Sequence, residues 1–294
     1  MLELLAQERW LLLLCAFVLG ALIGSFLNVV IYRLPVMMER AWQEELAFAS
    51  VADGPASAAE PEAISAAQER FNLIVPRSRC GNCGHPITAL ENIPIISWLA
   101  LRGKCSACGT RISARYPLVE LATGLLFLAC AWAFGASVAA LAAMALCAAL
   151  VALTGIDFDT QLLPDQLTLP LLWLGLLLNI GGLFARLPDA VIGAAAGYLV
   201  LWLVYWAFKL ATGREGMGYG DFKLLGALGA WFGWQALPLL LLLSSVVGAV
   251  VGIAILVVQK KGRQTAIAFG PYLAMAGLIT LFAGEHLRAA LIGL

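Results

Sequence analysis

Charge is what this chain has least of: 12% of its 294 residues are charged, and 18 basic residues cancel 18 acidic ones. Soluble domains are about 25% charged and roughly 45–50% apolar. A chain that is 62% hydrophobic, with a mean hydropathy of +0.91, is therefore not a water-soluble globule. The same numbers exclude disorder, collagen and coiled coil. Other features are missing too. There is no internal repeat beyond the alternation of apolar stretches, no lipidation motif, and no glycine-rich G-x-G-x-x-G loop between a strand and a helix, so the usual nucleotide fold is absent. The leader MLELLAQERW carries two acidic residues before Arg9, its apolar run is longer than that of a signal peptide, and no small-residue cleavage site precedes Arg33. The first segment reads as a retained helix. What remains is an all-α polytopic membrane protein.

Because charges are sparse, the gaps between them locate the spans. Uncharged stretches run over 10–32, 121–156, 166–185, 190–208, 224–259 and 264–284. A spanning helix needs about 20 apolar residues, so four gaps hold one helix each. The two gaps of 36 residues fit helical hairpins, with turns at Phe134-Gly135-Ala136 and between Gly233 and Pro238. The total is about eight transmembrane helices, with both termini on one side. Fifteen of the 18 basic residues fall in the loops near 33–116, 157–165, 209–223 and 259–263, which places that side in the cytoplasm and both termini outside. The chain divides into a first transmembrane helix at 10–32, a cytoplasmic loop domain at 33–116 and a seven-helix core at 117–294. Its partner by composition is the lipid bilayer; no nucleic-acid partner is expected.

The loop from Arg33 to Tyr116 changes character along its length. ERAWQEELAFAS has the spacing of a short amphipathic helix, and VADGPASAAEPEAIS comes next as an Ala, Pro and Ser linker; a solvated spacer accounts for both. Then come Cys80-Gly81-Asn82-Cys83-Gly84 and Cys105-Ser106-Ala107-Cys108-Gly109, two C-x-x-C-G knuckles. Two thiolates at that spacing grip one ion from a tight turn, the glycine after each pair relieves the backbone, and four sulfurs complete a closed tetrahedral zinc site. Disulfides or a redox pair are the competing readings. A cytoplasmic loop is reducing, and no thioredoxin-like βαβ pattern is nearby. The result expected is a zinc-ribbon-like domain between helices 1 and 2. His85 is surplus beside four cysteines, and Cys15, Cys130 and Cys147 read as single small core residues.

Ionisable groups beside membrane spans are costly and tend to be functional. Two junctions outside the ribbon carry aspartates: Asp157, Asp159 and Asp165 in IDFDTQLLPD, and Asp221 in Gly218-Tyr219-Gly220-Asp221-Phe222-Lys223. Two aspartates on different helices at one face can share a proton, one serving as base toward water and the other as acid toward a peptide carbonyl. Glycines 218 and 220 would let a substrate backbone approach and let the helix start abruptly. Capping and interfacial solvation explain the same residues without catalysis, Asp221 and Asp165 especially.

From Gly20 to Pro35 (GALIGSFLNVVIYRLP), through RSRCGNCGHPITALENIPIISWLALRGKCSACGTRISARYPLVE, to IDFDTQLLPD and GYGDFKL, the chain closely resembles the bacterial type 4 prepilin peptidases over nearly its whole length. That resemblance implies an inner-membrane aspartyl protease of the G-x-G-D class, active at the cytoplasmic face. It would remove the short basic leader from type IV prepilins and type II secretion pseudopilins after a glycine, then methylate the new amino terminus with S-adenosylmethionine. Carried over by motif, the catalytic pair falls on Asp157 and Asp221 and the metal quartet on Cys80, Cys83, Cys105 and Cys108. Lys223 fits the pattern G-x-G-D-x-K, and Asp159 is a bystander. The methyl donor's ligands are not identified by any motif. A membrane transporter, or a non-catalytic zinc-containing pilus-assembly scaffold, would share the carboxylates or the ribbon, but neither explains two aspartate motifs at one face.

Overall fold

The computed structural model describes residues 8–52, 71–214, 216–259 and 268–292. Among the described residues, eight helices of 14 to 44 residues lie along the stretches read as spans. They are α1 (Arg9–Ala52), α3 (Arg115–Phe134), α4 (Val138–Thr160), α5 (Asp165–Leu178), α6 (Leu187–Thr212), α7 (Tyr219–Phe232), α8 (Leu237–Gln259) and α9 (Gly270–Ile292); a five-residue helix, α2 (Ile96–Ala100), precedes α3. Five of the described helices are long and apolar enough to cross a membrane. No strand occurs among the described residues, only two isolated bridges. The turns fall where the sequence places them: Gly135 and Gly233 both have positive φ, a conformation glycine adopts without penalty.

Two boundaries differ from expectation. α1 does not stop near Tyr32 but runs through Pro35 to Ala52, so the amphipathic segment is its continuation. Proline costs the helix its own N–H bond and crowds one carbonyl, while Met37, Met38, Glu39, Ala41 and Gln43 are good helix formers that carry it on. The linker beyond it lies outside the described residues. α5 ends at Leu178, well short of Ala185, because Asn179 starts a 3-10 turn. The buried Asn179 amide donates to the Ala230 and Trp231 carbonyls at 2.8 and 3.0 Å, and its oxygen accepts from the Phe184 and Ala185 amides at 2.9 and 3.0 Å. All four bonds pair backbone groups that hydrocarbon would leave unsatisfied.

The chain forms two compact units, Met1–Phe17 with Leu125–Leu294, and Val18–Gly124. In the first, α7 is the central helix. Phe222, Leu224, Leu225, Ala227, Leu228, Ala230 and Trp231 are fully buried on every side of it, the mark of a helix surrounded by others. Leu146, Leu150 and Leu153 of α4, Leu201 and Tyr205 of α6, and Leu273 of α9 belong to the same core. Cys130 and Cys147 are not isolated core residues: their sulfurs lie 3.7 Å apart between α3 and α4.

Close approach of α6 and α7 depends on absent side chains. A Cβ on Gly229 would collide with the Gly193 carbonyl, and one on Gly197 would stand 2.7 Å from the Leu225 oxygen. Small residues at helix contacts are how membrane helices gain packing where no hydrophobic force drives them together. Gly229→Ala is expected to lower the unfolding midpoint in detergent, with overpacking costing about 1–3 kcal/mol, although alanine is the better helix former. Gly181→Ala, which meets nothing within 4 Å, should melt like the parent.

Candidate active site and metal centre

Asp157 lies in the last turn of α4, which closes on Gln161 in the left-handed conformation, its amide bonded to the Asp157 carbonyl. Asp221 lies in the first turn of α7, whose N-cap is Gly218. Both aspartates are buried, with 4% and 7% of their surface exposed, and they are near enough for the charge of one to act on the other. Asp159, two residues on, points outward and is exposed.

Three segments converge on the pair. Leu163, in the turn between α4 and α5, fills the space over Gly220: a Cβ there would stand 2.6 Å from the Leu163 Cβ. The second glycine of the G-Y-G-D motif therefore seats a side chain instead of keeping a path open for substrate, whereas Gly218 keeps its surroundings open. The third segment is the start of α9, which motif reading does not reach. A Cβ on Gly270 would meet Asp157 Oδ2 at 2.5 Å and Leu163 at 3.1 Å. The Gly270 amide lies within reach of the same carboxylate, and Oδ2 is buried with no hydrogen-bond partner among the described residues. The available signal was Gly270-Pro271, a helix start with proline in its first turn. Lys223 Nζ donates to both carboxylate oxygens of Asp165 at 2.6 and 2.8 Å, tying the beginnings of α5 and α7. Asp165 is thus an ion-pair partner as well as the first residue of its helix.

Gly270 has an ordinary φ, so alanine there strains no backbone and acts through space alone. Gly270→Ala is expected to rotate the Asp157 carboxylate away and to lower leader cleavage by more than tenfold, since a misplacement of about 1 Å can cost around 10²-fold. The metal content and unfolding midpoint should stay near the parent values. Unchanged turnover would remove Gly270 from the site.

In the other unit the four ribbon cysteines come together. Their sulfurs all lie within 4.8 Å of one another, with Cys80 to Cys108 at 3.8 Å and Cys83 to Cys105 at 4.0 Å. A tetrahedral metal with M–S near 2.3 Å separates its sulfurs by about 3.8 Å, so the quartet fits such an ion. Both of these pairs bridge the two knuckles, as a single ion shared by all four sulfurs requires. The knuckles repeat one geometry. Gly84 and Gly109 have φ of +72° and +71° and donate to the Cys80 and Cys105 carbonyls, while the Cys80 and Cys105 amides bond to the His85 and Thr110 carbonyls. Asn82 joins them, its amide reaching Thr110 Oγ1 at 2.9 Å. Glu91 clasps the ribbon by accepting from the Ser106 hydroxyl, the Thr88 amide and the Thr88 hydroxyl, and these bonds, Ser106's foremost, hold its carboxyl down at about 2. His85 stands beside Glu91, 3.4 Å away, and outside the quartet.

A helical integral membrane protein with two buried carboxylates at helix ends and a separate four-cysteine ribbon is the class these features define. Residues 18–134 match the Bacterial Peptidase A24 N-terminal domain and residues 144–253 match the Type IV leader peptidase family. Proteins named prepilin leader peptidase/N-methyltransferase are 58% identical over 289 residues in Stutzerimonas stutzeri, 57% over 287 in Aeromonas hydrophila and 54% over 287 in Pseudomonas aeruginosa; each alignment covers 98% of this chain and 96% of the relative. The chain belongs to the Type IV leader peptidase family. No solved structure matches it.

Proposed function

We propose that this chain is a prepilin leader peptidase and N-methyltransferase of the bacterial inner membrane. The observation that carries the reading is identity of 54–58% along nearly the whole length of relatives bearing that name. It passes the membrane eight times, with both termini periplasmic and the aspartates at the cytoplasmic face, where prepilins and pseudopilins present a basic leader ahead of a membrane-embedded helix. Relatives of this kind give no support to a transporter or a non-catalytic scaffold.

Asp157 and Asp221 form the catalytic pair. One carboxylate, ionised, takes a proton from water as the water oxygen attacks the carbonyl of the leader's last residue; the other, neutral, donates to that carbonyl's oxygen. Collapse of the tetrahedral species returns a proton to the departing amine and regenerates one charged and one neutral aspartate. Burial of both side chains keeps bulk water from screening the pair, and the Lys223–Asp165 bridge fixes the helix starts around it. The cysteine quartet holds a structural zinc ion. S-adenosylmethionine supplies the methyl group to the freed amine; no side chain is assigned to hold it.

Purified protein in detergent, given a prepilin and S-adenosylmethionine, should yield a shortened pilin whose new amino terminus carries a methyl group by mass spectrometry. A folded, zinc-replete preparation that leaves the leader attached would defeat the proposal.

A further inference from the structure

The ribbon unit contains a buried carboxylate near the start of an apolar helix. Glu120 is five residues into α3 and only 8% exposed. α3 packs against α1 there: a Cβ on Gly24 would stand 2.7 Å from the Glu120 Cα and 3.1 Å from the Val119 carbonyl, and one turn away Asn28 donates to the Tyr116 carbonyl. Gly24 is nine residues before Arg33 in the uncharged run 10–32. That is about 13 Å inside the first charge at ~1.5 Å per residue.

Glu120 Oε2 accepts the Ile95 amide at 2.7 Å, and Ser25 bonds the same carboxylate. Ile95 has φ of +64°, a conformation rare for a β-branched residue, which persists only where its surroundings over-determine it. The turn is thus pinned within one side chain's reach of Gly24's level. Its flanks match that depth. Residues 92–101, NIPIISWLAL, carry no charge, and no residue of α2 is buried, with Ile96 64% and Leu99 62% exposed. An uncharged run of this length is too short to span and suits a re-entrant segment. Irregular backbone at membrane depth requires internal partners for its polar groups, and the Glu120 carboxylate supplies one to Ile95.

We infer that residues 92–101 form a re-entrant segment that dips into the cytoplasmic leaflet and presents Ile96 and Leu99 to lipid acyl chains, pinned by Glu120. On the helices beside it, Leu22 of α1 and Leu118 of α3 are likewise exposed. The segment in effect anchors the ribbon unit to the bilayer. This inference rests on the chain's being a membrane protein and is independent of its catalytic residues.

The test is photo-crosslinking of the full chain in vesicles of phosphatidylethanolamine and phosphatidylglycerol, with benzoylphenylalanine placed singly at Ile96, Leu99, Leu118 or Ser106. Zinc content and leader cleavage serve as checks on folding. Positions 96 and 99 are expected to give lipid adducts of the same order as Leu118, and Ser106, on the second knuckle, none. A folded variant with no lipid adduct at 96 and 99, while Leu118 reacts, overturns the inference. Adducts there only to a second protein chain, whether an added prepilin or another copy, overturn it as well.

Discussion

Asp157→Asn and Asp221→Asn should each abolish leader cleavage, with turnover falling at least about 10²-fold, the low end of what a positioned acid or base contributes. The two losses should be alike and non-additive, because half of a proton-sharing pair performs neither the basic nor the acidic step. The double variant is expected to be no worse than either single one. Asparagine keeps the shape of the side chain and removes one of two buried, interacting carboxyl groups, so both variants should melt no lower than the parent. A pilin already lacking its leader presents a free amine and needs no peptide hydrolysis, so methylation of that substrate should continue in both variants. Gel shift of the prepilin, thermal unfolding in detergent and mass spectrometry of the methylated terminus separate these outcomes. Cleavage near the parent rate in either variant, with zinc intact, would remove the dyad.

Charge spacing makes the helices legible because hydrocarbon is intolerant of charge, and glycines at 135 and 233 mark turns that the structure keeps. Asp157 and Asp221 are legible for the same reason: a carboxylate beside a long apolar run stands out. Pairings between segments far apart in sequence are not. Asn179 looks like any polar residue at a span's end until Ala230 and Trp231 arrive from α7 with carbonyls that need donors. Gly270 acquires a role only because α9 begins against Asp157, and Gly220 because Leu163 folds back over it. The overrun of α1 past Tyr32 is hidden because Pro35 resembles a boundary, although a proline removes one hydrogen bond and leaves the next turns to the propensity of the residues after it.

The ribbon is expected to collapse without its metal, and Cys80→Ser is the sharpest way to show it. Between residues 71 and 114 the only buried positions are Gly103 and Cys105. A segment that buries so little apolar surface has almost no hydrophobic term to set against chain entropy, and its cysteines form no disulfides. The proposed zinc ion would supply the missing term: apparent binding free energies of about 10–16 kcal/mol are typical of structural zinc sites and amount to folding energy. Replacing one thiolate should therefore release the metal and expose 71–114 to protease, while 125–294, with its own buried core around α7, stays resistant. A chelator strong enough to strip zinc should reproduce that cleavage pattern in the parent chain. Cys130→Ala, which alters the membrane pair and not the quartet, should keep its metal. Metal analysis and limited proteolysis read both results; one full metal equivalent and normal resistance in Cys80→Ser would mean that hydrogen bonds such as Glu91's, and not zinc, hold the knuckles together.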